Sequence, residues 1–420
     1  MALPRFGAVG TSPAPPARLT SLTCPPDDGP KGDRGHPWRS FCAATTTGSG
    51  FVGLSFDPVI VYAITRVSHH LLHQHDSLGA VQAGLMFLAV WWVRVCTTWA
   101  RNTLNPDAPA VRGMLFVLMA LGLYVSMAIP DAFAERGLIF ALAFVAMNWL
   151  RTGFVYLAAG NYATVKRTFA RIMAWFVASA VFWIRGGRAE PQAWQWFWLV
   201  APGIEYRGPM AGFAVPGLGR DRCSDWALRG GHIAERAGLF VIICRGKALL
   251  VAGATFAQTD WSLHGHAAFL APVGVAVGMW WGHVNVGHRH ATRQIEHSAN
   301  PGHLARLAFT YAHLPIVAGV VLAAVGAEGT IAHPGDPGNW AEAATLIGGA
   351  ALFVAGNAWL EWIFGADVPL SHLVGWGLSV ALALASPCLT LLWLTTAAAA
   401  VPLVVAVWEH RSLRGGALPA

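Results

Sequence analysis

The stretch Glu235-Arg-Ala-Gly-Leu-Phe-Val-Ile-Ile-Cys-Arg-Gly-Lys-Ala-Leu-Leu-Val-Ala-Gly-Ala-Thr-Phe-Ala257 decides what kind of fold this chain adopts. An α-helix needs about 20 apolar residues to cross a hydrocarbon layer, and this run is that long. It nevertheless carries Arg245 and Lys247 near its middle. A cation at bilayer mid-depth costs at least ~2.5 kcal/mol even on the most lenient insertion scale, so such residues face a polar interior and mark a function.

Composition around the run agrees with it. Of 420 residues, 55% are hydrophobic and 12% charged, against about 25% charged in a soluble globular chain. These values describe an all-α, polytopic membrane bundle. A net charge of +7 would suggest nucleic acid in a soluble protein, but here the basic residues fall in short segments between apolar runs and have a topological origin. Nucleic-acid binding is not expected; membrane lipids and a small solute are the expected partners. Cysteines at 24, 42, 96, 223, 244 and 388 include no C-x-x-C pair, which argues against a zinc site or a disulfide framework. Residues 1–50, rich in Pro, Gly, Ser and Thr, hold no continuous apolar core and read as a disordered cytoplasmic tail rather than a cleavable signal.

About twelve transmembrane helices are predicted, at 52–72, 78–100, 112–130, 137–158, 168–186, 194–215, 234–257, 265–285, 304–326, 342–364, 370–386 and 388–408. They form one transmembrane domain over 51–410, followed by a short tail, 411–420. Lys166, Arg167, Arg171, Arg220, Arg222, Arg229, Arg289, Arg293 and Arg306 fall in alternate connections, against Arg136, Arg185 and Arg188 on the opposite side. The positive-inside rule then puts both termini in the cytoplasm of a multi-pass protein of the bacterial inner membrane. A faint internal repeat suggests two parallel six-helix halves, 51–215 and 232–410: Leu54–Thr65 opens the first as the Glu235 segment opens the second, and Trp91-Trp92 recurs as Trp280-Trp281.

The segment His232-Ile-Ala-Glu-Arg-Ala-Gly-Leu-Phe-Val-Ile-Ile-Cys-Arg-Gly-Lys-Ala-Leu-Leu250 resembles a signature of the bacterial low temperature requirement A family, close to H-F-A-E-R-F-G-L-F-V-I-I-A-L-G-E-S-I-L. The likeness runs from residue 51 onward. It includes Phe56-Asp57, Ala63-Ile64-Thr65, Thr97-Thr98-Trp99, Gly208-Pro209 and Thr310-Tyr311-Ala-His313-Leu-Pro315, with Gly319 and Gly326. The resemblance implies a many-helix inner-membrane protein linked to growth in the cold and supplies no reaction or ligand. Departures from the signature change its charge. The family's Glu is Lys247, its Ser is Ala248 and its Leu is Arg245; Pro58 replaces a Leu, and Arg94 and Cys96 stand where a Trp and a Tyr are usual.

Intramembrane charges supply the candidate residues for substrate binding or gating: Asp57, Glu205, Arg207, Glu235, Arg236, Arg245, Lys247 and Glu361. Equivalent first and seventh helices would bring Asp57, Glu235, Arg236, Arg245 and Lys247 to one cavity, and its excess of buried cation would favour an anion. A structural ion-pair network reads the same residues equally well. The histidine groups His69, His70, His73 and His283, His288 have spacings that could share a metal. The topology separates them across the membrane, so they read as interfacial and no metal is assigned. No motif implies a cofactor. Paired tryptophans read as interfacial anchors, and Gly246, Gly253 and Gly348-Gly349 as close helix packing. Three functions follow: a secondary transporter or permease for a small anionic or proton-coupled solute; a membrane enzyme acting on a lipid or hydrophobic metabolite; or a degenerate non-catalytic member. Enzyme chemistry is the less favoured of the first two.

Overall fold

A computed structural model describes residues 56–74, 76–105, 108–160, 162–190, 193–221, 230–297, 301–365 and 368–415; the side chains of 230–232, 284–297, 301 and 413–415 are outside that description. The predicted N-terminal tail, 1–50, and residues 416–420 of the predicted C-terminal tail lie outside the described residues, while 411–415 continue the last helix. Helices in order are α1 (Phe56–His73), α2 (Ser77–Thr103), α3 (Pro109–Ala128), α4 (Gly137–Ala158), α5 (Ala163–Gly186), α6 (Trp194–Met210), α7 (Gly230–Phe256), α8 (Leu263–His297), a composite α9, α10 (Trp340–Ile363), α11 (Leu370–Ala385) and α12 (Leu391–Gly415). The composite α9 joins Pro301–Arg306 and His313–Ala332 through a π-helical segment, Leu307–Ala312. Ten of these twelve are long and apolar enough to cross a membrane; α1 and α6 have 18 and 17 residues. No strand occurs among the described residues, as expected where every backbone group must be paired within its own segment.

Local chemistry sets most helix ends. Asp76 caps α2, its Oδ1 accepting from the Gly79 N–H at 2.7 Å. Asn339 and Glu342 form a capping box on α10, with Asn339 Oδ1 accepting from the N–H groups of Ala341 and Glu342. The sixth helix stops at Met210 rather than 215 because Gly212 (φ +61°) and Phe213 (φ +45°) turn the chain into left-handed backbone. Past 285, α8 continues to His297 since no proline interrupts it before Pro301.

The helices pack in two sequential groups. Within the first, α1 packs on α2 and α3, the run α3 to α6 packs in chain order, and α2 also reaches α4 and α6; within the second, α9 packs closely on α10 and α8 on α12. They meet where α1 and α2 face α7 and α9. Glycines make the α9–α10 crossing intimate: a Cβ on Gly319 would lie 2.6 Å from both the Gly349 carbonyl oxygen and the Phe353 nitrogen. Gly246, Gly253 and Gly348 have no such neighbour, so of the glycines read as packing sites only Gly349 is one. Trp91 and Trp92 are buried rather than interfacial. Trp91 Nε1 donates to the Thr310 carbonyl at 2.9 Å and Trp99 Nε1 to the Thr310 hydroxyl at 3.2 Å, tying α2 to the π segment.

The candidate charged site and its surroundings

Where the two helix groups meet, α1, α2 and α7 enclose a charge cluster. Asp57 lies in the first turn of α1, and its Oδ2 stands 4.0 Å from Nη1 of Arg236 on α7. Arg94 on α2 donates through Nη2 to the Arg236 carbonyl at 3.0 Å. Its guanidinium sits 4.3 Å from the Phe240 ring centroid and 5.2 Å from that of Trp91, within cation–π range. Arg101, two turns along the same face of α2, completes the set of cations acting on Asp57. All four side chains are buried. Arg94 Nε and Arg236 Nε and Nη1 have no hydrogen-bond acceptor. Among the described residues, one carboxylate thus faces the guanidiniums of Arg94 and Arg236, with Arg101 further along α2, in a low-dielectric interior.

The other candidate residues are distributed around this cluster. Glu235 is exposed on the outer side of α7. Arg245 turns away, donating to the Met279 carbonyl at 2.7 Å with its guanidinium over Phe353. Lys247, half-buried, comes within electrostatic reach of Glu328 on α9, as does His69 on α1. Asp57, Glu235, Arg236, Arg245 and Lys247 therefore do not line one cavity: Asp57 and Arg236 meet, while Lys247 belongs to a second polar group nearer the opposite ends of α1 and α9. Between the two groups, Ile60 and Ile64 of α1 and Phe240 and Cys244 of α7 are buried in the main apolar core.

Glu205 on α6 accepts from Ser179 Oγ at 2.7 Å and Trp183 Nε1 at 3.1 Å, while Arg207 is exposed. Among the histidines, His70 bonds Gln82 at 2.9 Å, His283 bonds Asn357 at 3.1 Å, and His73 is exposed; the side chain of His288 lies outside the described residues. Glu361 meets His372 and Glu409. Arg94 and Arg101 escaped the candidate list, although their i, i+7 spacing places both on one helix face.

On the other side of α2 a cleft opens, lined by Trp92, Cys96, Trp99, Phe176 and Phe213, with Arg151 and Arg306 among its few polar residues. Its cavity volume is about 90 Å³. Arg151 is fixed from behind, donating to Thr97 Oγ1 at 3.1 Å and Asn148 Oδ1 at 2.7 Å. At the rim, Arg171 pairs with Asp221, which also accepts from Thr168 at 2.9 Å.

The sequence model of the bacterial low temperature requirement A protein family (LtrA) matches residues 50–407. The chain belongs to this family. An uncharacterized protein of Rhizobium meliloti (strain 1021) is 36% identical over 399 residues, covering 93% of this chain and 96% of its own length. No solved structure matches. Membership accords with the helical membrane architecture and with the signature at His232–Leu250, which here spans the start of α7. In this LtrA member Lys247, in the position of the signature's Glu, lies opposite Glu328, and Arg94 supplies a cation to the Asp57 cluster.

Proposed function

We propose that this LtrA protein is a permease for a small anion, with a path along the meeting line of α1, α7 and α9. The observation that carries the reading is the pair Arg94 and Arg236 buried beside Asp57, with guanidinium nitrogens of both lacking a hydrogen-bond acceptor. Arg94 and Arg236 together carry one positive charge more than Asp57, an excess that needs a counter-ion in a buried setting, and a substrate anion would supply it. Lys247, Glu328 and His69 form a second polar station further along the same helices. The apolar stretch between the stations would act as the barrier that alternating access opens on one side at a time. Both termini are assigned to the cytoplasm of the bacterial inner membrane, because the end of the bundle holding Asp57 also carries Lys166, Arg167, Arg171, Arg220 and Arg306.

The degenerate reading loses ground on three residues. Pro58 is exposed in the first helical turn, where proline is tolerated, and Arg94 and Arg245 both donate to backbone carbonyls. The aromatic cleft behind α2 favours a second reading, in which Arg151 binds the head of an amphipathic anion such as a lipid or hydrophobic acid.

Reconstituted protein with a pH-sensitive dye inside the vesicles tests the permease. Imposed anion and proton gradients should drive flux that falls at least ~10-fold in Arg94→Gln and in Lys247→Ala, since each removes a charge that the path depends on. The double exchange Lys247→Glu with Glu328→Lys should recover part of it. Folded protein without flux refutes the proposal. Lipid or acid that co-purifies with the wild type and is lost in Arg151→Gln would favour the second reading.

A further inference from the structure

Glu361, His372 and Glu409 converge from three helices at the end of the bundle that holds Asp57. Glu361 is in the last turns of α10, His372 in the first turn of α11 and Glu409 near the end of α12. One potential ligand atom from each lies within 4.8 Å of the other two. His372 Nδ1 stands 3.0 Å from Glu409 Oε1, and Ser371 Oγ donates to the same oxygen at 3.2 Å. His372 and Glu409 are 3% and 8% exposed; Glu361 is half-buried.

The charge balance here is the reverse of that around Asp57. The charged groups facing Glu361 are Glu409 and His372, and His410, next along α12, turns to Trp281 on α8. No arginine or lysine among the described residues lies within ion-pair distance of either carboxylate. Two carboxylates and one imidazole present oxygen and nitrogen ligands to one point, and a divalent cation there would neutralise the carboxylate pair. Three atoms at the corners of a 4.8 Å triangle share a centre about 2.8 Å from each, so modest side-chain rotation reaches the ~2.0–2.2 Å of Zn–N and Zn–O bonds. An imidazole with two carboxylate oxygens suits a borderline divalent ion such as Zn²⁺, and its carboxylates also admit the harder Mn²⁺. Ser371 would then be the outer-shell residue that orients Glu409.

We infer that Glu361, His372 and Glu409 form a divalent-metal site that pins the start of α11 to α10 and α12. The site needs no transport activity. That helix has the smallest buried share of the ten long apolar helices and packs mainly on α10 and α12, so a bond at its first turn would hold it where side-chain packing is thin.

The experiment uses untagged full-length protein in detergent, incubated with Zn²⁺ or Mn²⁺, desalted and measured by inductively coupled plasma mass spectrometry. The wild type should retain about one ion per chain and unfold at a higher temperature with metal than after chelation. His372→Asn and Glu409→Gln should each lower retention at least ~10-fold, in line with the loss of a ligand. The double variant His264→Ala/His266→Ala, at the far end of α8, should retain the ion. Glu361→Gln, at a half-buried position, keeps the test decisive if a variant at a fully buried position is not monodisperse. Retention below ~0.1 ion per chain by monodisperse wild type, or equal loss in the α8 control, overturns the assignment.

Discussion

Replacing Asp57 by Asn removes one charge without changing shape, and its cost follows from the geometry. At 4.0 Å from Arg236, a unit charge pair is worth about 4 kcal/mol at an effective dielectric constant near 20. Arg94 and Arg101 act on the same carboxylate, and the substitution leaves all three guanidiniums buried. Removing one partner of a buried pair costs about 3–5 kcal/mol, so Asp57→Asn should destabilise the protein by that amount. Arg236→Gln should relieve much of the loss: the double variant should be more stable than the sum of the single effects by at least ~1.5 kcal/mol, a coupling within the range for contacting residues. Unfolding by SDS titration in mixed micelles, followed by far-UV circular dichroism, measures all four corners of this cycle. An Asp57→Asn protein within ~0.5 kcal/mol of wild type, the range of ordinary surface changes, would refute the reasoning. Strict additivity of the two substitutions would do the same.

Two further outcomes test packing. Gly319→Ala should cost about 3 kcal/mol, the upper end of the overpacking range, because its Cβ meets backbone at 2.6 Å on two sides. Gly348→Ala, with nothing within 4 Å, should be neutral or stabilising in the same titration, alanine being the better helix former by about 1 kcal/mol. Tyr311→Phe removes the bond from its hydroxyl to the Tyr206 carbonyl at 2.7 Å. It should cost about 1 kcal/mol, with protease cleavage of the neighbouring 211–221 connection as a second readout.

The architecture was legible because it depends on run length and apolarity, which the bilayer imposes on each segment separately. Twelve helices could be placed from these alone, and Arg245 and Lys247 announced polar neighbours by the cost of their burial. Which neighbours each would find was not legible, because helix rotation is fixed by packing between segments. Arg245 turns to a backbone carbonyl on α8, while Arg94, noticed only as an odd replacement for tryptophan, reaches the charge cluster. The π segment 307–312 left no trace in hydropathy, since it changes hydrogen bonding and not composition. Trp91 and Trp92 misled in the same way: an indole at a helix midpoint reads like one at its end until a partner such as the Thr310 carbonyl is in view. Glu361 stood out as a lone intramembrane acid, but its companions lie on two later helices, and no local spacing links them.

One consequence follows from the two faces of α2. At about 100° per residue, Arg94 and Arg101 point within about 20° of each other, whereas Trp92, Cys96 and Trp99 fall within about 40° of the opposite direction. This single rod is a party wall, bearing the guanidiniums toward Asp57 on one side and the aromatic lining of the cleft on the other. If it rolls to widen the cleft, Arg94 and Arg101 must swing against the carboxylate they hold. Whatever fills the hydrophobic room is thereby felt in the charged one, through rotation of one helix and with no chain of contacts between them.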